Sequence, residues 1–317
     1  MSYSAKVICD SISSAGVRLT TIEATFPRFI LAEVNTHRVL RGGDEHTDLF
    51  DLSDYTDLSR SSASSRAIPI EKRIRMVEED PFIPAAFGKN QRGMQAAENL
   101  EGEEAELARD RWNRARSDAM YHAGGLARLG VHKQYANRLL EPFCWHTAVL
   151  TATEWGNVDA LRDHKDAQPE FQTLWKIVKA ARASSTPKEI GIGEWHLPYV
   201  RDVDEEQLIQ EGLMHDLPRI SCARAGRVSY LTQDGRRAPG EDIALYGRYL
   251  DSFHMSPLEH AATPYDGYNT AHRRVAMCRL VDTPLKPQDI WIGNLRGWCQ
   301  QRKLIANEHD FSLRGDR

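Results

Sequence analysis

The runs Lys6-Val7-Ile8-Cys9 and Arg18-Leu19-Thr20-Thr21-Ile22, with Ser14-Ala15-Gly16 between them, decide the fold class. β-Branched and apolar residues dominate both runs, although the alternation in the first is imperfect. A small turn with a glycine separates them, which predicts two strands within residues 5–26. Pro27 then precedes the apolar Phe29-Ile30-Leu31-Ala32-Glu33-Val34. A helix tolerates proline at its start, so a helix ending near His37-Arg38 is expected. With the helical stretches further on, the pattern predicts an α/β fold: a twisted, partly antiparallel sheet with long helices packed against it.

Residues 98–129 read as a long helix, because Leu107, Ala115, Ala119, Leu126 and Leu129 can share one face while charges fill the rest. Gly124-Gly125 weakens its last turns. Two further helical stretches are expected at about 133–141 and 157–183, the second stopped by Ser184-Ser185-Thr186-Pro187. Residues 187–218 are loop-rich, so the chain divides into regions 1–186 and 187–317, as two units or as one intertwined domain. Ser221 to Ser229 suggests a short element, and Gly240 to Phe253 reads as a helix.

The 317 residues carry 41 Lys+Arg against 45 Asp+Glu, a net charge of −4. That balance argues against general nucleic-acid coating, which needs a basic excess. No run approaches the length of a membrane span, and the N-terminus lacks the pattern of a signal peptide. The five cysteines are scattered and form no CxxC, which argues against a zinc ribbon or a disulfide scaffold. A reducing, cytoplasmic setting is expected.

Two segments are unusual in composition. Residues 41–58 open with Gly42-Gly43 and carry six Asp or Glu, and read as an inserted loop or lid. Ser59-Arg60-Ser61-Ser62-Ala63-Ser64-Ser65-Arg66 follows. Small hydroxyl side chains leave backbone N–H groups accessible and arginine supplies a fork, so this run suits a phosphate cradle. Twelve histidines raise the question of metal, but HExxH is absent and His254 and His260 are six apart around a proline, so no metal site is expected. GxSxG, GxGxxG and Walker A sequences are absent as well. Arginines with small or amide neighbours recur instead: His37-Arg38, Ser65-Arg66, Asn137-Arg138, and Arg162 between Asn157 and Gln168. Guanidinium groups that converge would clamp a phosphate and stack on a ring.

These pieces resemble the flavin-dependent thymidylate synthase family, whose signature is R-H-R-x-x-S-x-N-E-x-S-x-R. Here Thr36-His37-Arg38-Val39-Leu40 is separated by residues 41–58 from Ser59 to Arg66, and excising the insertion aligns His, Arg, both serines and the last arginine. Arg162 with Ala167-Gln168-Pro169-Glu170 is similar to a second family stretch. Arg227-Val228-Ser229-Tyr230 and Ser256-Pro257-Leu258-Glu259-His260 are similar to a third. In the common family the third stretch precedes the signature, so this chain looks circularly permuted, as in a phage-associated branch. The stretch Gly293-Asn294-Leu295-Arg296-Gly297-Trp298-Cys299-Gln300-Gln301-Arg302-Lys303 also fits that branch.

The resemblance implies a flavoprotein methyltransferase. It would bind FAD, take hydride from NADPH, and move a one-carbon unit from methylenetetrahydrofolate to C5 of dUMP, giving dTMP. The reduced flavin carries the hard chemistry, without a cysteine nucleophile. His37, Arg38 and Asn157 match FAD-contacting positions. Ser64, Ser65 and Arg66 match the loop that holds the nucleotide, Arg138 a phosphate-binding arginine, and Gln168 lies in the motif of Arg162. Arg162 and Ser64 are the expected catalytic positions, with Arg162 stabilising charge on the ring oxygens as C5 becomes nucleophilic. The family's flavin sits where subunits meet, so a homotetramer is expected, with a pyrimidine deoxynucleoside monophosphate as partner and neither membrane nor stably bound nucleic acid. Thr36 replaces the signature's first arginine, Ser61-Ser62 its Asn-Glu pair, and Glu33 a nucleotide-touching glutamine. Those departures keep open dUMP or dCMP hydroxymethylation, dCMP methylation for modified phage bases, and a nucleotide-binding homologue without catalysis.

Overall fold

A computed structural model of the protein describes residues 2–36, 59–228, 238–275, 286, 290–306 and 308. The expected strand pair is present as β1 (Ser4–Ser13) and β2 (Arg18–Pro27), antiparallel, with Gly16 at φ +77° in the turn. A 3₁₀ turn at Arg28–Ile30 leads into α1 (Leu31–Thr36). His37, Arg38 and the segment 41–58 lie outside the described residues. The serine-rich run begins as a strand, β3 (Ser59–Ser62), and only its second half turns away.

Next come α2 (Ile70–Glu79), α3 (Gly102–Arg128) and the short α4 (Lys133–Ala136). Leu107 and Leu129, assigned above to an apolar face of the long helix, are 54% and 81% exposed, whereas Ala123 is its one fully buried residue. Gly124 and Gly125 stay helical, so they do not end it. The helix expected at 133–141 lasts one turn and continues as a 3₁₀ segment, Asn137–Phe143, that contains Pro142. Then comes a strand not anticipated from the sequence, β4 (Trp145–Ala152). The stretch read as one helix at 157–183 is two, α5 (Gly156–Arg162) and α6 (Pro169–Ala183). Pro169 sets the start of the second, since it disfavours helical geometry in the residue before it and suits a helix start.

The remaining elements are β5 (Lys188–Ile190), α7 (Asp202–Gln210), α8 (Leu217–Arg227), α9 (Pro239–Asp251), β6 (Ala262–Pro264), α10 (Thr270–Val275), β7 (Trp291–Ile292), β8 (Leu295–Arg296) and β9 (Trp298–Gln300). The main sheet has the order β3-β4-β2-β1-β5, antiparallel except for the parallel β1–β5 pair. The molecule is therefore α/β with a mixed five-stranded sheet. Among the described residues no helix is long and apolar enough to cross a membrane.

Register separates the two faces of this sheet. Ile22 lies opposite Leu150 and Ala24 opposite Ala148, so these side chains share one face with Phe26 and Ala152. α6 covers that face with Phe171, Leu174, Trp175 and Val178, spaced i, i+3, i+4, i+7. Each such buried side chain contributes about 1.5–3 kcal/mol. The odd positions face the other way: Thr21 opposite Thr151, Thr25 opposite Thr147, Ser61 opposite Val149. Region 187–317 covers part of that hydroxyl-bearing face. Val17, Leu19 and Ile190 pack with Ala262, Leu295 and Trp298, and the Trp298 indole N–H donates to the Val17 carbonyl at 3.2 Å.

α8 is buried nearly all round and crosses α9 closely. A methyl group at Gly226 would lie 2.2 Å from Tyr249 Oη, so the contact requires glycine. Arg224 and Arg227 both donate to Asp242, which is 0% exposed, at 2.9 and 2.8 Å. Two guanidinium groups on one carboxylate compensate its desolvation, which a lone buried charge could not survive. Arg227 thus has a structural duty in the Arg-Val-Ser-Tyr motif.

Candidate functional site

β3 and the turn after it form one wall of a cavity of about 610 Å³. Arg60, Ser61, Ser62, Ser64, Arg66 and Ala67 come from this wall, His132, Lys133 and Gln134 from the start of α4, and His254 and Ser256 from the segment after α9. Three cationic side chains and four serine hydroxyls therefore meet, and none of the described lining residues is acidic. Such a set suits an anion with several oxygen acceptors.

The turn is held from below. Asn137 is buried and donates through Nδ2 to the carbonyls of Ser65 and Ile68 at 2.7 and 2.8 Å. Ser65 is buried too, and its hydroxyl donates to Glu141. Arg28 Nε and Arg138 Nη1 donate to the same carboxylate oxygen at 3.0 and 2.9 Å. Burial opposes ionisation of Glu141, but the Ser65 hydroxyl and the Arg28 guanidinium prevail and hold its carboxyl below the ordinary range. Above this anchor, Ser64 Oγ accepts from the Arg66 backbone N–H at 3.3 Å, a local bond that shapes the turn. Burial lowers the Arg60 guanidinium pKa, and the Glu259 carboxylate opposes that shift.

The segment Ser256–Glu259 packs against β3, and His260 Nε2 lies 3.0 Å from Ser61 Oγ. The late glycine- and tryptophan-containing stretch closes over the same place. Gln300 Nε2 donates to Ser59 Oγ at 2.7 Å and to the Glu259 carbonyl at 3.0 Å, and Asn294 Nδ2 donates to Ser59 Oγ at 3.3 Å. Arg302 pairs with both Glu259 and Glu308. Burial raises the Glu259 carboxyl pKa, and Arg302 counters it.

The sequence-predicted residues divide into two groups. Ser64 and Arg66 line the cavity, while Ser65 lies beneath it and Arg138 pairs with Glu141. Asn157, Arg162 and Gln168 sit at the α5–α6 corner, on the α6-covered side of the sheet, and are not among the described residues of this cavity. The Arg162 guanidinium lies 4.7 Å from the Phe171 ring centre, a cation–π distance. Burial lowers its pKa, and the Glu33 carboxylate opposes that, so the two charges feel each other.

Arg60, Lys133, His254 and Ser256 line the cavity without having been assigned a ligand-binding role from the sequence, His254 having been weighed only as a metal ligand. The signal for Arg60 and Ser256 was their place inside quoted motifs. Lys133 and His254 had none beyond proximity to one.

Among the described residues no group of three His, Cys, Asp or Glu side chains could hold a metal ion. Cys9, Cys144, Cys222 and Cys299 are free thiols, and burial raises the Cys9 and Cys299 pKa to about 11 and about 12, away from nucleophilic use. The cavity presents Arg60, Arg66, Lys133 and four serine hydroxyls, a donor set suited to an anion. Apart from Ala67, the rings of His132 and His254 and the guanidinium planes of Arg60 and Arg66, its described walls offer nothing flat or apolar for an isoalloxazine. No protein-family model matches the chain, and no curated protein matches it in sequence.

Proposed function

We propose that this protein binds a pyrimidine deoxynucleoside monophosphate and transfers a one-carbon unit from methylenetetrahydrofolate to C5 of its base, with FAD and NADPH supplying the electrons. One observation carries the reading. The serine–arginine run and the Ser-Pro-Leu-Glu-His motif, about 190 residues apart in sequence, form one cationic, hydroxyl-rich cavity and touch through Ser61 and His260. The resemblance noted from sequence attaches nucleotide binding to the first of these motifs. In this reading Arg66, Lys133 and Ser64 hold the phosphate. FAD, when bound, would supply the redox chemistry; the described cavity residues account for the phosphate only.

Arg162 is the second element of the reading. Its charge is fixed at any working pH, so it would stabilise negative charge developing on ring oxygens. It lies outside the single-chain cavity, and a homotetramer in which a second copy supplies that corner would complete the site.

A second reading, with dCMP as substrate, is favoured by Glu33. A carboxylate beside Arg162 accepts from an exocyclic amine, a group that cytosine has at C4 and uracil lacks. The product would then be a methylated or hydroxymethylated cytosine nucleotide.

The test is direct. The purified protein should show a flavin spectrum and convert dUMP or dCMP, with NADPH and methylenetetrahydrofolate, to a product whose mass identifies base and group. Arg162→Ala should cut turnover at least about a hundredfold, the scale of losing one electrostatic stabiliser, with an unchanged thermal midpoint. A protein that takes up no flavin and yields no product from either nucleotide overturns the enzymatic reading; nucleotide binding without flavin oxidation would leave a binding homologue.

A further inference from the structure

Six side chains form one continuous hydrogen-bonded file across the hydroxyl-bearing face of the sheet. Ser11 Oγ lies 2.9 Å from His196 Nδ1, and His196 Nε2 lies 2.8 Å from Thr21 Oγ1. Thr21 Oγ1 lies 2.7 Å from Thr151 Oγ1, which lies 2.8 Å from His260 Nδ1. His260 Nε2 reaches Ser61 Oγ at 3.0 Å. The file crosses β1, β2, β4 and β3, and all six groups are buried. Ser61, its last member, belongs to the cavity wall.

The proton count constrains this file. Burial pushes both imidazoles down to about 3, so each is neutral, with one N–H and one lone pair. Each hydroxyl has one proton. Five contacts consume five protons, and six groups carry six. One proton is left over, and because among the described residues neither Thr21 nor Thr151 has an acceptor outside the file, it sits at one end. If every group donates toward Ser61, the Ser61 O–H is free and both histidines carry their proton on Nε2. If every group donates toward Ser11, Ser61 spends its proton on His260 and both histidines carry theirs on Nδ1. A mixed arrangement either sets two lone pairs or two protons face to face, or strands the proton of Thr21 or Thr151 without an acceptor, and each loses a hydrogen bond in a dry interior.

The Ser11 end offers a weak alternative: its nearest side-chain partner there is Cys9 Sγ at 4.0 Å. The Ser61 end opens on a cavity that holds Arg60, Arg66 and Lys133. An anion attracted by those cations accepts hydrogen bonds and donates none.

We propose that Ser61 is an anion-binding residue of this cavity, and that an anion bound there orients the whole file toward Ser61, fixing His260 and His196 as Nε2–H tautomers. His260 and Thr151 are then positioning residues, which present the Ser61 proton without touching the ligand. The proposal rests on the reading that the cavity receives a nucleotide phosphate and adds to it the residue that takes the place of the asparagine in the resembled signature.

The experiment uses the full chain with ¹⁵N-labelled histidine and reads the ring-nitrogen shifts with dUMP, dCMP or inorganic phosphate added, beside calorimetric titration of the same probes. Both histidines should be Nε2–H in the bound state. Ser61→Ala should weaken binding about tenfold, the loss of one hydrogen bond to a charged acceptor, and abolish the histidine response. Ser61→Thr, which keeps the hydroxyl, should restore both. Thr151→Val should keep a response at His260 and remove it at His196. If no probe binds the wild-type protein, the cavity reading fails and this proposal with it. If a probe binds while either histidine is Nδ1–H, or Ser61→Ala binds as wild type does, this proposal alone is overturned.

Discussion

The two faces of one sheet are built by different physics. Under α6 the contacts are Ile22, Ala24, Phe26, Ala148 and Leu150 against Phe171, Leu174 and Trp175, where stability follows buried area and shape. On the other face Thr21, Thr151, Ser61, His196 and His260 are equally buried but polar, and each atom has a designated partner. The apolar face gains from water leaving. The polar face gains little net, yet loses much when one partner is removed, because the other is left buried and unpaired. The cavity adjoins the second face, where geometry is dictated atom by atom.

That contrast can be broken by experiment. The largest effect is expected on the apolar side: Trp175→Ala should cost about 3–5 kcal/mol in urea unfolding, through the cavity it leaves. It also removes a hydrogen bond from the indole to Asp159 at 2.8 Å. A loss below about 1 kcal/mol would show that α6 is not seated as described.

Acid should act on the imidazoles, and the sign follows from their depressed values. His146, His196 and His260 are each pushed down to about 3 by burial, against an ordinary 6.5. The unfolded chain therefore binds protons that the folded one refuses. Stability is full above pH 6.5 and is lost as pH falls from there toward 3. Each histidine contributes up to about 1.4 kcal/mol per pH unit in that window. Thermal midpoints measured from pH 7.5 to 5 should fall accordingly, and His260→Gln should flatten the slope; a flat wild-type profile contradicts the neutral file.

Thr151→Val tests the polar side alone. It keeps shape and deletes one hydroxyl, so about 1–3 kcal/mol should be lost from partners left unpaired. The double variant with Thr21→Val should lose less than the sum of the single losses, since the two share a bond. Arg66→Ala is expected to be the mildest for the fold, because Arg66 is exposed. Its thermal midpoint should stay within error while affinity for inorganic phosphate or dUMP drops about tenfold or more. An unchanged affinity would remove Arg66 from the site.

Local sequence chemistry determined the strand pair of residues 5–26, its glycine turn, and the helices around Pro169 to Ala183 and Pro239 to Asp251, because turn residues, helix starts and periodicity are short-range signals. It also pointed to the serine–arginine run as an anion cradle. β4 escaped because Ala148, Val149 and Leu150 are buried on both faces, which erases the alternation that marks a half-exposed strand. Leu107 and Leu129 misled for the converse reason: helical spacing shows that residues share a face, not that anything packs on it.

The cavity could not be read from any one segment. Lys133 and His254 reach it from distant elements, and the hydroxyl of Ser65, expected as a ligand contact, donates to Glu141. The histidine file is wholly a product of folding: its hydrogen-bonded neighbours lie up to 199 residues apart, strand register puts Thr21 beside Thr151, and the packing of Ser256–Glu259 on β3 puts His260 at Ser61. Sequence fixes which groups can donate or accept. Which of them meet, and therefore which protons remain to be offered to a ligand, is decided by long-range packing.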